Sequence, residues 1–266
     1  MPENNPYSPP TSDVKEPPPE PGGLSPPRRL SGERGWGWIT EGYDYFKESP
    51  GVWVLMTLIF LLIIIGFSAV PFGSVLTNLF MPVFLGGMML ACHASDEGKA
   101  IRLSHLFAGF QVHTGKLVGV GGLYLLGGMG VGLAMFVIMA LSGGLGAFTA
   151  SAGNGYELNP AALGIGGMLA MLVALLLMTL LIMAFWFASP LVALHGLSAP
   201  RAMLLSFRGC MKNLLPFSVY GLAVMALGII AAIPLFLGYL VLSPVLIASA
   251  YAAYKDIFLQ GREPGP

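Results

Sequence analysis

Residues 51–93 read GVWVLMTLIFLLIIIGFSAVPFGSVLTNLFMPVFLGGMMLACH, and no Asp, Glu, Lys or Arg occurs anywhere in this stretch. An α-helix rises about 1.5 Å per residue, so roughly 20 apolar residues cross the hydrocarbon core of a bilayer. The stretch is therefore long enough for two spans. The residues VPFG at 70–73 interrupt it, because proline and glycine favour turns. The sequence predicts a tight membrane hairpin with spans at 52–70 and 74–93.

The composition of the whole chain agrees with this interpretation. Of the 266 residues, 55% are hydrophobic and 10% are charged, and the mean hydropathy is +0.76. A soluble domain carries about 25% charged residues, so the chain is predicted to be an integral membrane protein. The formal net charge is zero, which argues against binding of nucleic acid, because no excess of basic side chains exists to neutralise phosphates.

Four more apolar runs predict spans at 117–141, 163–189, 216–235 and 237–254. We therefore expect an all-α membrane protein with six transmembrane helices. The fourth run extends from Ala161 to Leu197, which is too long for an upright helix. Three alternatives remain open for it: strong tilt, projection into the interface, or a break at Pro190.

The predicted domain order is a disordered tail at 1–34, a membrane domain at 35–258 and a short second tail at 259–266. The first tail is rich in proline and polar residues, which cannot bury enough apolar surface to offset the entropy of ordering. Its EPPPEP segment at 16–21 could dock to a protein partner as polyproline II. A solvated tail without a partner is the preferred interpretation.

The distribution of basic residues predicts the orientation. In the six-span arrangement all thirteen Lys and Arg residues lie on one side of the membrane. The opposite side has two short turns and the loop 142–160, whose one charged residue is Glu157. By the positive-inside rule, both tails are expected in the cytoplasm.

Three similar units are predicted within the membrane domain. Each starts with an amphipathic stretch, at 36–50, 101–110 and 198–213, and ends with a span that contains a proline, namely Pro82, Pro190 or Pro244. We expect three repeated hairpins, each preceded by a cytoplasmic amphipathic helix in the headgroup region. The aromatic residues expected at the membrane interface are Trp36, Trp38, Tyr43, Phe46, Phe107, Phe110 and Phe207.

The spans contain few polar side chains that could support chemistry. No ionisable residue is predicted near the bilayer centre, where such groups usually mark ion and proton paths. Asp96 and Lys255 are instead predicted at the cytoplasmic ends of spans. Thr77 and Asn78 form the most polar pair, and they either contact a ligand or, as we prefer, make hydrogen bonds to a neighbouring helix. The positions that could line a cavity are Thr77, Asn78, Pro82, Pro190 and Pro244.

Catalytic and metal-binding motifs were not found in the sequence. Cys92 and Cys210 do not form a CxxC pair, and the four histidines match no ligand spacing, so we expect neither a metal nor another cofactor. No HExxH, GxSxG, Walker or dinucleotide motif occurs either. We therefore expect no catalytic residues.

Three segments resemble a family of uncharacterised bacterial multi-span inner-membrane proteins: GWGWITEGYDYFKESPGVW at 35–53, MPVFLGGMMLAC at 81–92 and LSHLFAGF at 103–110. A weaker likeness in architecture is to the membrane domain joined to some glycerophosphodiester phosphodiesterases. The chain lacks their catalytic barrel, so that activity is not implied. The resemblance implies location in a bacterial inner membrane and no mechanism.

Two functions are compatible with these observations. The first is a non-enzymatic membrane module that organises the envelope or binds lipid or a partner. The second is a transporter or channel for a small or lipidic solute, with the three proline-bearing helices around a central path. The second hypothesis predicts a polar cavity at mid-depth, whereas dry packing around the prolines would count against it.

Overall fold

The computed structural model describes residues 23–142 and 164–259. Outside the described residues lie the expected loop at 142–160, apart from Ser142, and the greater part of both expected tails, 1–22 and 260–266. A 3₁₀ helix spans Leu103–Phe110. The α-helices of the described chain are α1 (Arg34–Glu48), α2 (Pro50–Ser68), α3 (Gly73–Asp96), α4 (Thr114–Leu141), α5 (Gly164–Trp186), α6 (Ala188–His195), α7 (Ala199–Lys212), α8 (Leu214–Ala232) and α9 (Tyr239–Phe258).

Six spans are long and apolar enough to cross a membrane within the described ranges, which confirms the predicted number. They are α2, α3, α4, α5 together with α6, α8 and α9. The span built from α5 and α6 is the longest, with 32 residues. The all-α membrane fold is therefore confirmed, and the predicted bounds lie close to the observed ones.

The long fourth span breaks rather than continuing as one helix. Because Pro190 has no N–H group and its ring crowds the preceding turn, the helix is interrupted at Phe187, between α5 and α6. The Phe187 N–H donates to the Ser206 hydroxyl of α7 at 2.9 Å, and that hydroxyl donates to the Met183 carbonyl at 2.7 Å. A side chain from a neighbouring helix thus satisfies the backbone groups that the break exposes.

Pro82 lies inside α3 without ending it. Proline cannot donate to the carbonyl four residues earlier, which here belongs to Asn78. A Cβ atom at Gly121 of α4 would lie only 2.4 Å from that carbonyl oxygen. The backbone of α4 therefore packs directly against the carbonyl that Pro82 leaves free, where a Cα–H···O contact becomes available.

The turn between α2 and α3 depends on one glycine. Phe72 has a positive φ of 61°, and a Cβ on the next residue, Gly73, would lie 1.6 Å from the Phe67 carbonyl oxygen. Any larger residue would collide with the chain that has just left α2. The VPFG interruption in the sequence is therefore the tight turn of a helical hairpin.

In the described ranges, three short helices precede the hairpins of spans, namely α1, the 3₁₀ helix and α7, and we call them the connecting helices. Each packs mainly against a hairpin other than the one that follows it in the chain. The first, α1, packs against α8 and α9 at the end of the chain. The 3₁₀ helix lies on α3 and also contacts α2, while α7 packs against α5, α6 and α4. Within the described chain, α1 therefore joins the beginning of the membrane domain to its last hairpin.

Two of these contacts have the same local geometry. A Cβ at Gly42 of α1 would lie 2.5 Å from the Val245 carbonyl oxygen, and one at Gly109 of the 3₁₀ helix would lie 2.0 Å from that of Val83. Val245 and Val83 directly follow Pro244 and Pro82. Glycine thus allows the connecting helix to lie on the backbone of the helix just after its proline.

Residues 24–33, which belong to the expected first tail, pack against the helix ends. The Ser25 N–H donates to the Phe258 carbonyl at 2.8 Å, and Leu24 forms a β-bridge with Leu259. Asn213, fully buried, accepts from the Leu30 N–H and donates to the Arg28 carbonyl, each at 2.9 Å. These hydrogen bonds hold the segment in place, so the packed chain begins before the expected boundary at residue 34.

The proline-bearing helices α3 and α9 lie at the centre of the bundle. About half of the α3 span and two thirds of the α9 span are buried, at 50% and 67%, against 6–17% for the other four spans. Those four present large apolar side chains such as Leu62, Leu126, Leu172 and Leu222 on the outside. Lipid chains would cover these side chains in a membrane. Soluble proteins rarely expose so much contiguous apolar surface to water.

Candidate functional site

The end of the bundle that carries the chain segments 24–33 and 255–259 holds an ion pair whose lysine is buried and whose carboxylate is partly exposed. The Lys255 ammonium lies 2.7 Å and 2.9 Å from the two carboxylate oxygens of Asp96. The Lys255 residue is 7% exposed, and its ammonium lies 5.1 Å from the ring centres of both Tyr45 and Tyr251. Both tyrosine hydroxyls donate to Asp96. We call these four residues the polar cap, which joins α1, α3 and α9.

A second ionic cluster lies beside the polar cap. Arg34 donates from Nε to the Asp256 carboxylate at 2.6 Å and from Nη2 to Glu41 at 2.5 Å. The Trp38 indole N–H also donates to Asp256, at 2.9 Å. Burial lowers the pKa of the Arg34 guanidinium, but hydrogen bonds and charge from Glu41 and Asp256 outweigh it, so the pKa lies above its ordinary value. The cluster holds α1 against the end of α9.

Two histidines lie near this end of the bundle. His93 Nδ1 is 3.3 Å from the Tyr251 hydroxyl, and His195 Nε2 is hydrogen-bonded to the hydroxyl of Tyr254. His195 Nδ1 is buried and has no hydrogen-bond partner among the described residues. Within residues 23–142 and 164–259, no three side chains of His, Cys, Asp or Glu are grouped closely enough to hold a metal ion.

A long apolar groove of about 550 Å³ lies between α1, α8 and α9, and we call it the first groove. The side of α1 that lines it mixes aromatic and polar residues at helical spacing. Asp44 and Lys47, which form an ion pair at 2.8 Å, stand at its edge and are largely exposed. The lining residues are Trp36, Ile39, Thr40, Tyr43, Asp44, Lys47, Leu227, Ile230, Ala231, Val241, Leu242 and Val245.

A similar space of about 500 Å³ lies under α7, between α4 and α5, and we call it the second groove. Leu204 and Phe207 of α7 form one wall, and no charged side chain lines it. The wall formed by α4 contains Gly127 and Gly130, which have no side chains. The other lining residues are Val131, Leu177, Leu180, Leu181, Ala184 and Met203.

An acidic pocket of about 200 Å³ lies next to the polar cap on another face of α1. Its lining combines Tyr45 with the four carboxylates of Glu41, Asp44, Glu48 and Asp96. Asp44 therefore borders both this pocket and the first groove. The arrangement places acidic groups at the edge of an apolar space.

The structure does not bring the predicted cavity residues together around one ligand. Thr77 and Asn78 donate to carbonyls of their own helix, at 3.0 Å to Gly73 and 2.8 Å to Ser74, and not to a neighbouring helix as predicted. A side chain that follows a carbonyl by four residues in a helix reaches it without a second helix. Thr77 borders a narrow apolar space between α2 and α3 that is too small to admit a water molecule. The three prolines, Pro82, Pro190 and Pro244, are all buried.

The aromatic residues predicted at the interface occupy two kinds of position. Trp38 is fully buried and its ring lies 5.2 Å from that of Phe217, while Phe46 is 8% exposed, so both pack within the protein. The rest have surface outside the packed core. Trp36, Tyr43, Phe107 and Phe110 are exposed, and Phe207 is half-buried.

Sequence reasoning placed Asp96 and Lys255 at the ends of spans without joining them into a site. Tyr254 and Lys255 lie three and four residues after Tyr251 at the end of α9. Such spacing puts side chains on one helix face. It was the available signal that polar groups gather there, although it does not identify Asp96 or Tyr45 as their partners.

The six apolar helices and the outward apolar side chains define an integral, multi-span helical membrane protein. A protein of Burkholderia thailandensis, described as a probable inner membrane protein, is 32% identical over 260 residues, which cover 89% of this chain and 94% of the relative. The chain belongs to the same family of multi-span inner-membrane proteins, which confirms the predicted resemblance. No family model matches the chain. No solved structure matches it either.

Proposed function

We propose that the protein is a non-enzymatic membrane module that binds lipids along its bundle and thereby contributes to the organisation of the envelope. The observation that carries this proposal is the pair of apolar grooves, about 550 and 500 Å³ in volume, beneath α1 and α7. Spaces of this size lie within the range of ligand pockets, about 300–1,000 Å³. In a bilayer their most abundant occupant is an acyl chain.

The proposed orientation places the polar cap at the cytoplasmic surface. The distribution of basic residues supports it, since Arg28, Arg34, Lys116, Lys212 and Lys255 all belong to the chain segments at this end. The connecting helices α1 and α7 and the 3₁₀ helix would then lie at the level of the lipid headgroups, where amphipathic helices are stable. Both grooves would open toward the cytoplasmic leaflet.

The contacts of the connecting helices support the proposed threefold repeat. In that arrangement the 3₁₀ helix and α7 each lie on the hairpin that precedes them in the chain. The first connecting helix, α1, has no preceding hairpin and lies on the last one. The shared geometry of Gly42 with Val245 and Gly109 with Val83 supports the match between the first and last units. The middle unit differs, because Ser206 rather than glycine meets its proline-bearing break.

The transporter hypothesis receives less support. It requires a hydrated path at mid-depth beside the three prolines, whereas Pro82, Pro190 and Pro244 are buried among neighbouring side chains. The Asn78 carbonyl freed by Pro82 faces the backbone of Gly121. These contacts favour a role of the prolines in helix packing. A role of the proline-rich first tail in binding a protein partner remains a proposal from its sequence.

The test of lipid binding uses the full chain purified in mild detergent and measured by native mass spectrometry. We expect the unchanged protein to retain phospholipid, and we expect Ile230→Trp together with Leu204→Trp to lower retention, because each exposed position borders one groove. Leu62→Trp is the matched control, since Leu62 is equally exposed on α2 and lines neither groove.

Equal retention by the double variant and the control would overturn lipid binding in the grooves. Turnover of a substrate by the purified protein that is lost on changing Thr77, Asn78 or the histidines would overturn the non-enzymatic assignment. Circular dichroism of each variant checks that the helical fold is kept, so a loss of lipid is attributed to the groove itself.

A further inference from the structure

We propose that the first groove selects a zwitterionic phospholipid with a primary ammonium headgroup. Its acyl chain would lie along α8 and α9, its phosphate near Lys47 and its ammonium near Asp44. This inference rests on the proposed function, because it names the class of lipid that one of the two grooves takes.

The floor of the groove is suited to a chain of methylene groups. Ile230 of α8 and Val241 of α9 are largely exposed, at 60% and 42%, and they face the groove rather than the packed core. Burial of apolar surface stabilises a complex by roughly 25 cal/mol for each Å² removed from water. This apolar contribution is about the same for phospholipids with similar acyl chains. The difference in binding free energy between competing lipids therefore arises from the headgroup.

The edge of the groove carries one positive and one negative side chain. Lys47 and Asp44 are separated by one turn of α1, and their side chains are 55% and 65% exposed, so both reach a headgroup. A phospholipid headgroup with a phosphate and an ammonium presents the complementary pair of charges. When the lipid binds, Lys47 would exchange Asp44 for the phosphate, and Asp44 would exchange Lys47 for the ammonium. All four charges would then have a partner of opposite sign.

The acidic pocket favours an ammonium over other headgroups. Asp44 borders that pocket together with Glu48 and with Glu41, which is paired with Arg34, so further carboxylates lie on the adjoining face of α1. A primary ammonium donates hydrogen bonds to carboxylates, which strengthens the ionic contact. A trimethylated ammonium has no such donor, and a headgroup with only a phosphate charge would meet repulsion from the carboxylates.

The second groove provides an internal comparison. It has a similar volume and the same position beneath a connecting helix, but no charged side chain lines it. It should therefore hold acyl chains without preference between headgroups. A difference between the two grooves would arise from the headgroup contacts, because both are apolar.

The experiment adds phosphatidylethanolamine, phosphatidylcholine or phosphatidylglycerol to delipidated full-length protein and counts bound lipid by native mass spectrometry. All measurements use protein that carries Leu204→Trp, which fills the second groove, so that most of the bound lipid occupies the first groove. We expect phosphatidylethanolamine to be retained about three- to five-fold better than the other two, the magnitude of one exposed ionic contact. Asp44→Asn should remove this preference, and Lys47→Gln should weaken all three lipids.

The matched control is the exposed ion pair of Glu97 and Lys99, 2.6 Å apart outside both grooves. Glu97→Gln and Lys99→Gln should leave the preference unchanged. Equal retention of the three lipids, or a preference that survives Asp44→Asn, would overturn this inference and leave lipid binding in place. Absence of any lipid from the protein and its variants would overturn the proposed function as well.

Discussion

Ser206 shows how one side chain sustains a broken membrane helix. The serine is fully buried, accepts from the Phe187 N–H and donates to the Met183 carbonyl. Without it the Phe187 N–H would lose this partner, and the Met183 carbonyl would keep the weak contact with Cys210 Sγ at 3.5 Å. An unsatisfied backbone group in a region without water costs several kcal/mol. The hydroxyl therefore compensates for the hydrogen bond that the break beside Pro190 removes.

We expect Ser206→Ala to lower the free energy of unfolding by about 1–3 kcal/mol, the cost of leaving a buried backbone donor without a partner. Titration with SDS in mixed micelles, followed by circular dichroism, measures the change. The control is Ser218→Ala, because Ser218 is exposed and its hydroxyl donates to the Leu214 carbonyl of its own helix. A loss no greater for Ser206 than for Ser218 would contradict the proposed role.

The Lys255–Asp96 pair makes a second prediction for single residues. Lys255→Met leaves Asp96, which is 22% exposed in its side chain, as a charge without its cation. We expect a loss of about 1–3 kcal/mol in the free energy of unfolding, because Asp96 loses its charged partner but keeps contact with water and the hydrogen bonds of Tyr45 and Tyr251.

The double variant Lys255→Met with Asp96→Asn provides the control for that loss. It removes both charges, so it should recover part of the stability lost in Lys255→Met. Additive losses in the two single variants, measured by the same titration, would show that the charges do not interact energetically.

At the scale of elements, the packing of α1 depends on close approach of backbones. Gly42 lies on the backbone at Val245 and Ser249, where a Cβ would be 2.5 Å and 2.7 Å from the nearest atoms. Small residues at such crossings are the usual means by which membrane helices pack closely. The same device recurs where Gly109 meets α3, although the two connecting helices differ in type.

We expect Gly42→Ala to destabilise the protein by about 1–3 kcal/mol, since overpacking moves backbone as well as side chains. Gly128→Ala in α4 should be neutral or stabilising, because nothing lies within 4 Å of a Cβ there and alanine favours the helix. Unfolding in mixed micelles compares the two. Equal stability of the two variants would contradict the close packing of α1 on α9.

The sequence predicts elements here better than it predicts their partners. The run of apolar residues at 51–93 and its VPFG interruption are sufficient for two spans and a turn, because hydrophobic length and turn chemistry are local properties. That α1 packs against α8 and α9 was not predicted, since its aromatic face suits either lipid or another helix. The charge pattern likewise places Asp96 and Lys255 at span ends without indicating that they meet.

The residues of the candidate site were likewise harder to predict than the helices that carry them. Thr77 and Asn78 were chosen because they are polar within a span, yet both donate to their own helix. The grooves are formed by apolar residues from three helices each, so no single segment carries a signal for them. Among the predicted aromatic residues, Trp36 and Tyr43 line the first groove and Phe207 the second.

At the scale of the whole molecule, the orientation in the membrane is a separate prediction. A reporter fused after Gly153 should report the periplasmic side, and one fused after Leu259 should report the cytoplasm, because all basic residues lie on one side of the six-span arrangement. Alkaline phosphatase and green fluorescent protein fusions, active on opposite sides, measure this. The same side for both fusions would contradict the proposed topology.

The position of α1 on the last hairpin has a consequence for biosynthesis. Tyr45 leaves the ribosome 210 residues before its hydrogen-bond partner Lys255. At about 5–20 residues per second, that separation corresponds to a delay of roughly 10–40 s. During this interval Asp96 has no cation from α9, and α1 has no hairpin on which to pack. The nascent protein must therefore wait in the membrane with its first helix undocked until its final span has been inserted.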